Sequence, residues 1–155
     1  MAWSAPAAGG KVLQVVYNSY STATTITSNG SYRDTGLSAT ITPTSATSKV
    51  LIFTNIPISW TRPARDGGLT VRLLRGSTSV FEPSPTLTTE FFYFDASTGG
   101  NVLMKMQAGL QYLDSPATTS ATTYKQQFNN TYSTSSATAQ ENGVTSTMIL
   151  MEIGA

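Results

Sequence analysis

The sequence predicts an all-β fold, an antiparallel β-sandwich or jelly roll of about eight to ten strands. Segments rich in β-branched and aromatic residues recur every 8 to 15 residues along the chain. Gly, Pro, Asn and Asp cluster in the breaks between these segments, and helical periodicity is nearly absent. A chain of 155 residues suits a single domain that buries a core without disulfides. We therefore expect an N-terminal arm at residues 1–10, followed by one sandwich domain at residues 11–155.

The first strands follow from composition and alternation. Residues 11–20 are rich in Val and Tyr, and residues 23–36 have strand-like ends around Asn29-Gly30, a dipeptide typical of a tight hairpin. Residues 37–42 alternate between aliphatic and hydroxyl side chains, which is the pattern of a half-buried strand. Pro43 is expected to end this strand, because proline has no N–H to donate to a β-ladder.

The next expected strand, residues 49–59, differs because Val50 to Phe53 form a run without a polar side chain. Such a run predicts a strand that is buried on both faces, and Pro57 is expected to shorten it. Residues 60–68 contain a proline and two glycines, so we expect a loop there.

Later segments repeat these patterns. Residues 101–116 are compatible with either a helix or a strand in their first half, and the glycine in mid-segment favours a strand. Residues 131–143 are polar and predict a loop. The remaining expected strands lie at residues 69–76, 77–85, 87–100, 121–130 and 144–153. The last of them is apolar on both faces, so we expect it in the centre of its sheet or covered by another subunit.

The composition argues against several classes of function. Only 11% of the residues are charged, whereas Ser and Thr make up 45 of the 155, so hydroxyl groups must coat much of the surface. A net charge of +1 provides no field to attract nucleic acid or an anionic membrane, and neither is expected as a partner. No signal peptide is visible, so we expect synthesis in a cytoplasm.

The residue types that usually perform catalysis are scarce. The chain has no cysteine and no histidine, which removes thiolate ligands and the commonest general base. We expect no enzyme activity, no metal and no other cofactor. The one catalytic alternative left open is a glycosidase-like pair of carboxylates carried on strands.

Two segments are candidates for partner binding. The expected loop at residues 60–68 combines Trp60 with Arg62 and Arg65, residue types that are enriched in interaction hot spots. The alternative is that Trp60 ends a core strand and that the arginines are solvated. In the N-terminal arm, Trp3 and Pro6 precede a Gly-Gly hinge and are candidate anchors to a larger assembly, with local packing as the alternative.

Four stretches of the sequence resemble a group of tailed-phage virion proteins. They are GLSATITPTSATSKVLI (36–52), VRLLRGST (71–78), YLDSPATTSATTYKQQF (112–128) and ILMEIGA (149–155). The most specific part is residues 112–125, and the resemblance covers most of the chain from Gly10 onward. The resemblance implies a trimeric β-sandwich knob, found on capsids or as the distal domain of tail fibres and tailspikes. It supplies no catalytic residues.

Two functions compete under this resemblance. The chain shows no shaft ahead of its first strand, which favours a homotrimeric cement or decoration protein on the outer capsid surface. Its partners would be its own copies and the major capsid protein, bound non-covalently, and it would be made in the host cytoplasm. The alternative is a tail-fibre or tailspike knob that recognises a host-surface glycan. If the trimer holds, we expect the apolar residues Leu51, Phe53, Met148 and Leu150 at the interface between subunits.

Overall fold

The computed structural model describes residues 10–27, 29–62, 67–82, 92–94 and 100–154. Within these ranges the chain forms eleven strands and one short 3-10 turn, so the prediction of an all-β fold is confirmed. No helix in these ranges is long and apolar enough to cross a membrane. The strands are β1 Lys11–Tyr20, β2 Thr24–Ile26, β3 Arg33–Ile41, β4 Lys49–Arg62, β5 Gly67–Arg75, β6 Thr78–Phe81, β7 Phe92–Phe94, β8 Val102–Asp114, β9 Thr122–Asn130, β10 Ser136–Ala139 and β11 Ser146–Gly154, with the turn at Glu141–Gly143.

The strands form two antiparallel sheets that pack against each other as a sandwich. The larger sheet contains six strands in the order β1-β11-β4-β10-β2, with β8 paired to the other edge of β4. The smaller sheet contains five strands in the order β3-β9-β5-β6, with β7 also paired to β5. The last strand, β11, lies between β1 and β4, which confirms the expectation that it is central.

The longest strand, β4, changes its partner near Pro57. One edge of β4 pairs with β8 along its whole length, whereas the other pairs with β11 as far as Asn55 and with β10 from Ile58. Pro57 occupies the gap between these two partners, where no ladder N–H is needed, and its carbonyl accepts a hydrogen bond from the N–H of Gln140 at 3.0 Å. The prediction that Pro57 shortens the strand is therefore wrong, because β4 continues to Arg62.

The core lies between the sheets and is made by alternate residues of each strand. The indole of Trp60 is fully buried at its edge, and a Cβ added to Gly67 would lie 2.3 Å from that ring. Only a glycine lets β5 pass this close. The buried apolar side chains include Leu37, Ile41, Val50, Ile52, Ile56, Ile58, Leu69, Val71, Leu73, Leu110, Tyr124, Phe128, Met148 and Leu150.

Two sequence predictions about connections are wrong. The segment containing Asn29-Gly30 is not a hairpin, because β2 pairs with β10 in the larger sheet and β3 pairs with β9 in the smaller sheet. Residues 131–143 are not only a loop, because they contain β10 and the 3-10 turn. Alanine side chains of β10 point into the core while Ser and Thr point outward, a strand pattern whose hydrophobic contrast is too small to see in the sequence.

A buried carboxylate connects the two sheets. Asp114, at the end of β8, accepts hydrogen bonds from the Arg75 guanidinium at 2.8 Å and from the Tyr124 hydroxyl at 2.7 Å. Burial and the neighbouring Asp114 carboxylate raise the pKa of Tyr124, so its hydroxyl remains protonated and continues to donate. This contact fixes β8 of the larger sheet against β5 and β9 of the smaller one.

A second buried carboxylate, Glu152 of β11, ties together three segments of the chain. One oxygen accepts hydrogen bonds from the backbone N–H and the hydroxyl of Thr44, both at 2.7 Å, and the other accepts from Nε2 of Gln14 at 2.6 Å. Burial raises the pKa of Glu152, but these hydrogen bonds have the larger combined effect and lower it to about 2. The charged carboxylate therefore holds β1 and the loop after β3 against β11.

Gln126 lies in the core without a hydrogen-bond partner for either polar atom of its side chain within the described residues. Because its unmet polar groups are costly, we expect Gln126→Met to raise the free energy of unfolding by about 1 kcal/mol, measured by urea denaturation. The matched control is Gln127→Met, which should lower it, since Gln127 accepts from Arg72 at 2.8 Å. A loss of stability in Gln126→Met would contradict the view that the polar atoms of Gln126 are unsatisfied at a net cost.

Candidate functional site

The outer face of the larger sheet, which points away from the sandwich core, carries a continuous group of apolar side chains. Several of them are about half exposed, including Val15 at 56%, Tyr17 at 61% and Leu113 at 47%. We call this group the apolar face, and it consists of Val12, Val15, Tyr17, Leu51, Phe53, Leu113, Ile149, Met151 and Ile153. A contiguous exposed apolar patch is often functional, whereas single exposed apolar residues are ordinary.

The strand register aligns the apolar face in rows that cross the sheet. From β1 to β8 one row contains Val15, Met151, Leu51 and Leu113, and the next contains Tyr17, Ile149, Phe53 and Gln111. Four strands about 4.8 Å apart and about five residues at about 3.4 Å each give a surface of roughly 300–400 Å². That is the size of the largest apolar patch on a typical monomer, and such patches are often functional.

The apolar face contains no charged side chain, and the nearest one in its rows is Lys49 at the rim, beside Ile153. The outer face of the smaller sheet instead carries polar and charged side chains. There Arg72 donates to Gln127 at 2.8 Å, Gln127 donates to Asp34, and Lys125 donates to Asp34 at 2.9 Å. The two outer faces of the sandwich therefore present different chemistry, one apolar and one polar.

The polar network on the smaller sheet stabilises its own charges. Partial burial alone would raise the pKa of Asp34. The hydrogen bonds from Lys125 and Gln127 have the larger combined effect, so the pKa of Asp34 is lowered. The guanidinium of Arg72 lies 3.9 Å from the centre of the Tyr32 ring, in a cation–π contact. Burial, together with the hydrogen bond to Glu82, raises the pKa of Tyr32 to about 12. The charged side chains of this network are therefore paired with one another or with polar neighbours.

A groove of about 380 Å³ opens further along the outer face of the larger sheet, beyond the apolar face. The turn that follows β10 folds over β4 and forms one wall, and the outward side chains of β8 form the other. Glu141 of the turn contacts Nζ of Lys105 at 2.8 Å across the groove, and its carboxylate also accepts a hydrogen bond from the hydroxyl of the buried Ser59. The lining residues are Pro57, Ile58, Ser59, Lys105, Met106, Gln107, Glu141, Asn142 and Val144.

The turn that walls the groove has an unusual backbone. Gln140 at φ 55°, Asn142 at φ 57° and Gly143 at φ 74° all adopt the left-handed conformation, which is unfavourable for the two that carry side chains. The buried side chain of Gln140 holds the turn in place by donating from Nε2 to Oγ of Ser146 at 2.7 Å. Its backbone N–H is bonded to Pro57, as described above.

The predicted partner-binding loop is corrected by the structure. Trp60 is fully buried, so the structure agrees with the alternative interpretation, in which Trp60 lies near the end of a core strand. Arg62 is 1% exposed, so it is neither a partner contact nor a solvated residue. Both side chains lie on the inward face of β4, which continues two residues past the expected loop start. Arg65, Trp3 and Pro6 lie outside the described residues.

The four predicted interface residues divide between the two faces of the sheet. Leu51 and Phe53 lie half-buried on the apolar face, so β4 is not buried equally on both sides. Met148 and Leu150 are fully buried in the core, so their assignment to an interface is corrected. Their neighbours Ile149 and Met151 take the outer face instead, and the exposed residues of β1 were not predicted at all. In the run Met148–Met151, which is apolar at every position, alternation cannot show which set points outward.

Two antiparallel sheets packed over one core define this chain as a β-sandwich. No family model matches the chain, and no curated protein matches it. The solved structure of the infectious bursal disease virus VP2 subviral particle is similar to it, with 13% identity and a TM-score of 0.38 over 93% of this chain and 38% of that chain. The structure of the Gx strain of that virus is also similar, with 13% identity and a TM-score of 0.33 over 91% of this chain and 38% of the other. The chain thus spans about two fifths of the length of each.

Proposed function

We propose that this protein is a virion structural protein of tailed phages, a homotrimeric decoration protein that binds the outer coat lattice non-covalently and stabilises it. The observation that carries the proposal is the apolar face, which provides a surface for contact between copies of the chain. The resemblance of residues 112–125 to phage virion proteins supports the location. No catalytic step is part of the proposed role.

The charge and size of the apolar face support self-association. The apolar face carries no charged side chain, so no charge on this side of the contact has to be desolvated when copies meet. Roughly 300–400 Å² of apolar surface, at about 25 cal/mol per Å², contributes about 8–10 kcal/mol. The loss of translational and rotational freedom on association costs about 4–15 kcal/mol. The apolar face is therefore close to sufficient, and some further contact is needed for a stable complex.

A closed three-fold ring supplies that further contact. In such a ring each copy offers two different surfaces, so the apolar face of one copy packs against another part of its neighbour. Each copy then contacts two neighbours instead of one, so the area buried per copy doubles to roughly 600–800 Å². A trimer also presents three equal contacts to a lattice, so individually weak polar contacts to the coat add as avidity.

The number of copies per particle tests the proposed location. A decoration protein must be present in hundreds of copies, because it has to cover the coat lattice. Quantitative mass spectrometry of purified virions measures this number against the major capsid protein as internal standard. Hundreds of copies are expected, whereas a handful would contradict the capsid role and favour the alternative, a knob at the tail.

A further inference from the structure

We propose that the groove between the Glu141–Gly143 turn and strands β4 and β8 binds a neutral saccharide. This site goes beyond the structural role proposed above and does not depend on it. Four features of the described residues carry the inference: the apolar floor of the groove, its polar rim, the balance of charge across it and the preformed turn.

The floor of the groove is apolar and its volume suits a small ligand. Pro57 and Val144 line it, and Val144 is 50% exposed. A volume of about 380 Å³ lies at the lower end of the range of about 300–1,000 Å³ that small-molecule sites occupy. Such a floor can pack against the C–H face of a sugar ring and release water from both surfaces.

The rim carries hydrogen-bonding groups of both kinds. The amides of Gln107 and Asn142 each offer two donors and an acceptor. Lys105 has three donors, of which the ion pair with Glu141 uses one, and the carboxylate of Glu141 can accept further bonds. A hydroxyl group both donates and accepts, so a polyhydroxylated ligand can use this whole set.

The balance of charge favours a neutral ligand. Lys105 and Glu141 face each other across the groove, and the hydrogen bond from Lys105 lowers the pKa of Glu141, so the carboxylate is ionised at neutral pH. An anionic ligand would meet the carboxylate and a cationic ligand would meet the ammonium. A fully apolar ligand would strip water from both charges without replacing it, which is costly.

The turn is already in place to meet a ligand. Its left-handed residues are strained, and such strain is retained mainly where it has a use. The buried side chain of Gln140 fixes the turn, so little conformational freedom is lost on binding. The polar groups also come from separate elements that face each other across the groove. A peptide that binds by strand addition would instead use a linear array of partners along a strand edge.

A polar row separates the groove from the apolar face. Across the sheet this row contains Ser19, Thr147, Asn55 and Gly109. Substitutions in the groove can therefore be tested without altering the apolar face, and failure of one proposal can be distinguished from failure of the other.

The test is saturation-transfer NMR and calorimetry of the full chain with glucose, galactose, mannose, N-acetylglucosamine and their short oligomers. We expect at least one sugar to bind with a dissociation constant of about 1 mM or below. Asn142→Gly removes an amide and keeps the left-handed backbone, and Lys105→Met removes the ammonium and keeps the stem. Each should weaken binding about tenfold, the effect of one lost hydrogen bond of about 1.4 kcal/mol.

The matched control is Lys125→Met, which breaks an ion pair of similar length, 2.9 Å, on the smaller sheet. It should leave sugar binding unchanged. Absence of binding by every sugar up to about 10 mM would overturn the proposal, since that is weaker than about −3 kcal/mol. Equal binding by the wild type and both groove variants would overturn it too. Light scattering of the same variants should show unchanged association, whatever the result for sugars.

Discussion

A lysine within the apolar face is expected to separate the copies of this protein. Val15→Lys and Leu113→Lys place a charge at opposite ends of one cross-strand row, at positions that are 56% and 47% exposed in the single chain. Each should weaken association by more than about 100-fold, because an uncompensated charge in an interface costs about 3–5 kcal/mol. Size-exclusion chromatography with light scattering should show a fall from three chains to a single chain of 16.5 kDa.

The control is Thr123→Lys, which adds the same charge at an exposed position of β9 on the smaller sheet. This variant should keep the mass of the wild type. All three variants should keep the circular dichroism spectrum of a folded chain, because the altered positions contribute little to the core. If Val15→Lys and Leu113→Lys also kept the wild-type mass, the apolar face would not be the contact between copies.

Glu152→Gln is expected to lower the free energy of unfolding by about 2–3 kcal/mol. An amide has one acceptor and one donor group, whereas the native carboxylate accepts from Gln14 on one side and from Thr44 on the other. In either orientation of the new glutamine amide, its NH₂ group therefore faces another donor, which is Gln14 on one side and Thr44 on the other. Urea denaturation at pH 7 measures the change. Glu141→Gln, in the turn between β10 and β11, is the control and should cause a much smaller loss.

The contribution of Glu152 should also depend on pH. Its pKa is about 2 in the folded protein and 4.5 in the ordinary, unfolded state, so the carboxylate stabilises the fold fully above pH 4.5. That stability is lost as the pH falls from about 4.5 towards 2, where both states become protonated. The stability of the wild type should therefore fall towards that of Glu152→Gln over this range. An equal difference at pH 7 and pH 2.5 would contradict the role of the charge.

The strands that were predicted correctly have strong local signals. Residues 37–42 alternate clearly, and residues 122–130 place Thr122, Tyr124, Gln126 and Phe128 on one buried face, as expected. The alternation between apolar and polar residues is hard to see where small residues form the buried side of a strand, as Ala137 and Ala139 do in β10. The local signal also fails at Asn29-Gly30, because a turn dipeptide does not determine which sheet the next strand joins.

The candidate site was predictable only in part, because its parts depend on pairing between distant segments. Because side chains alternate along β11, the outward position of Ile149 goes with an inward position of Glu152, which is tolerated because Gln14 and Thr44 hydrogen-bond it. A charged residue pointing inward is the opposite of what the sequence suggests. The groove has no sequence signal, since it forms when the turn at Glu141 folds over Pro57, more than eighty positions away.

Native mass spectrometry of the unaltered protein most directly tests whether copies of the chain associate as the proposed trimer. We predict a species of three chains of 16.5 kDa each at micromolar concentration. A species of one chain, 16.5 kDa, that persists across that concentration range would contradict the proposed trimer.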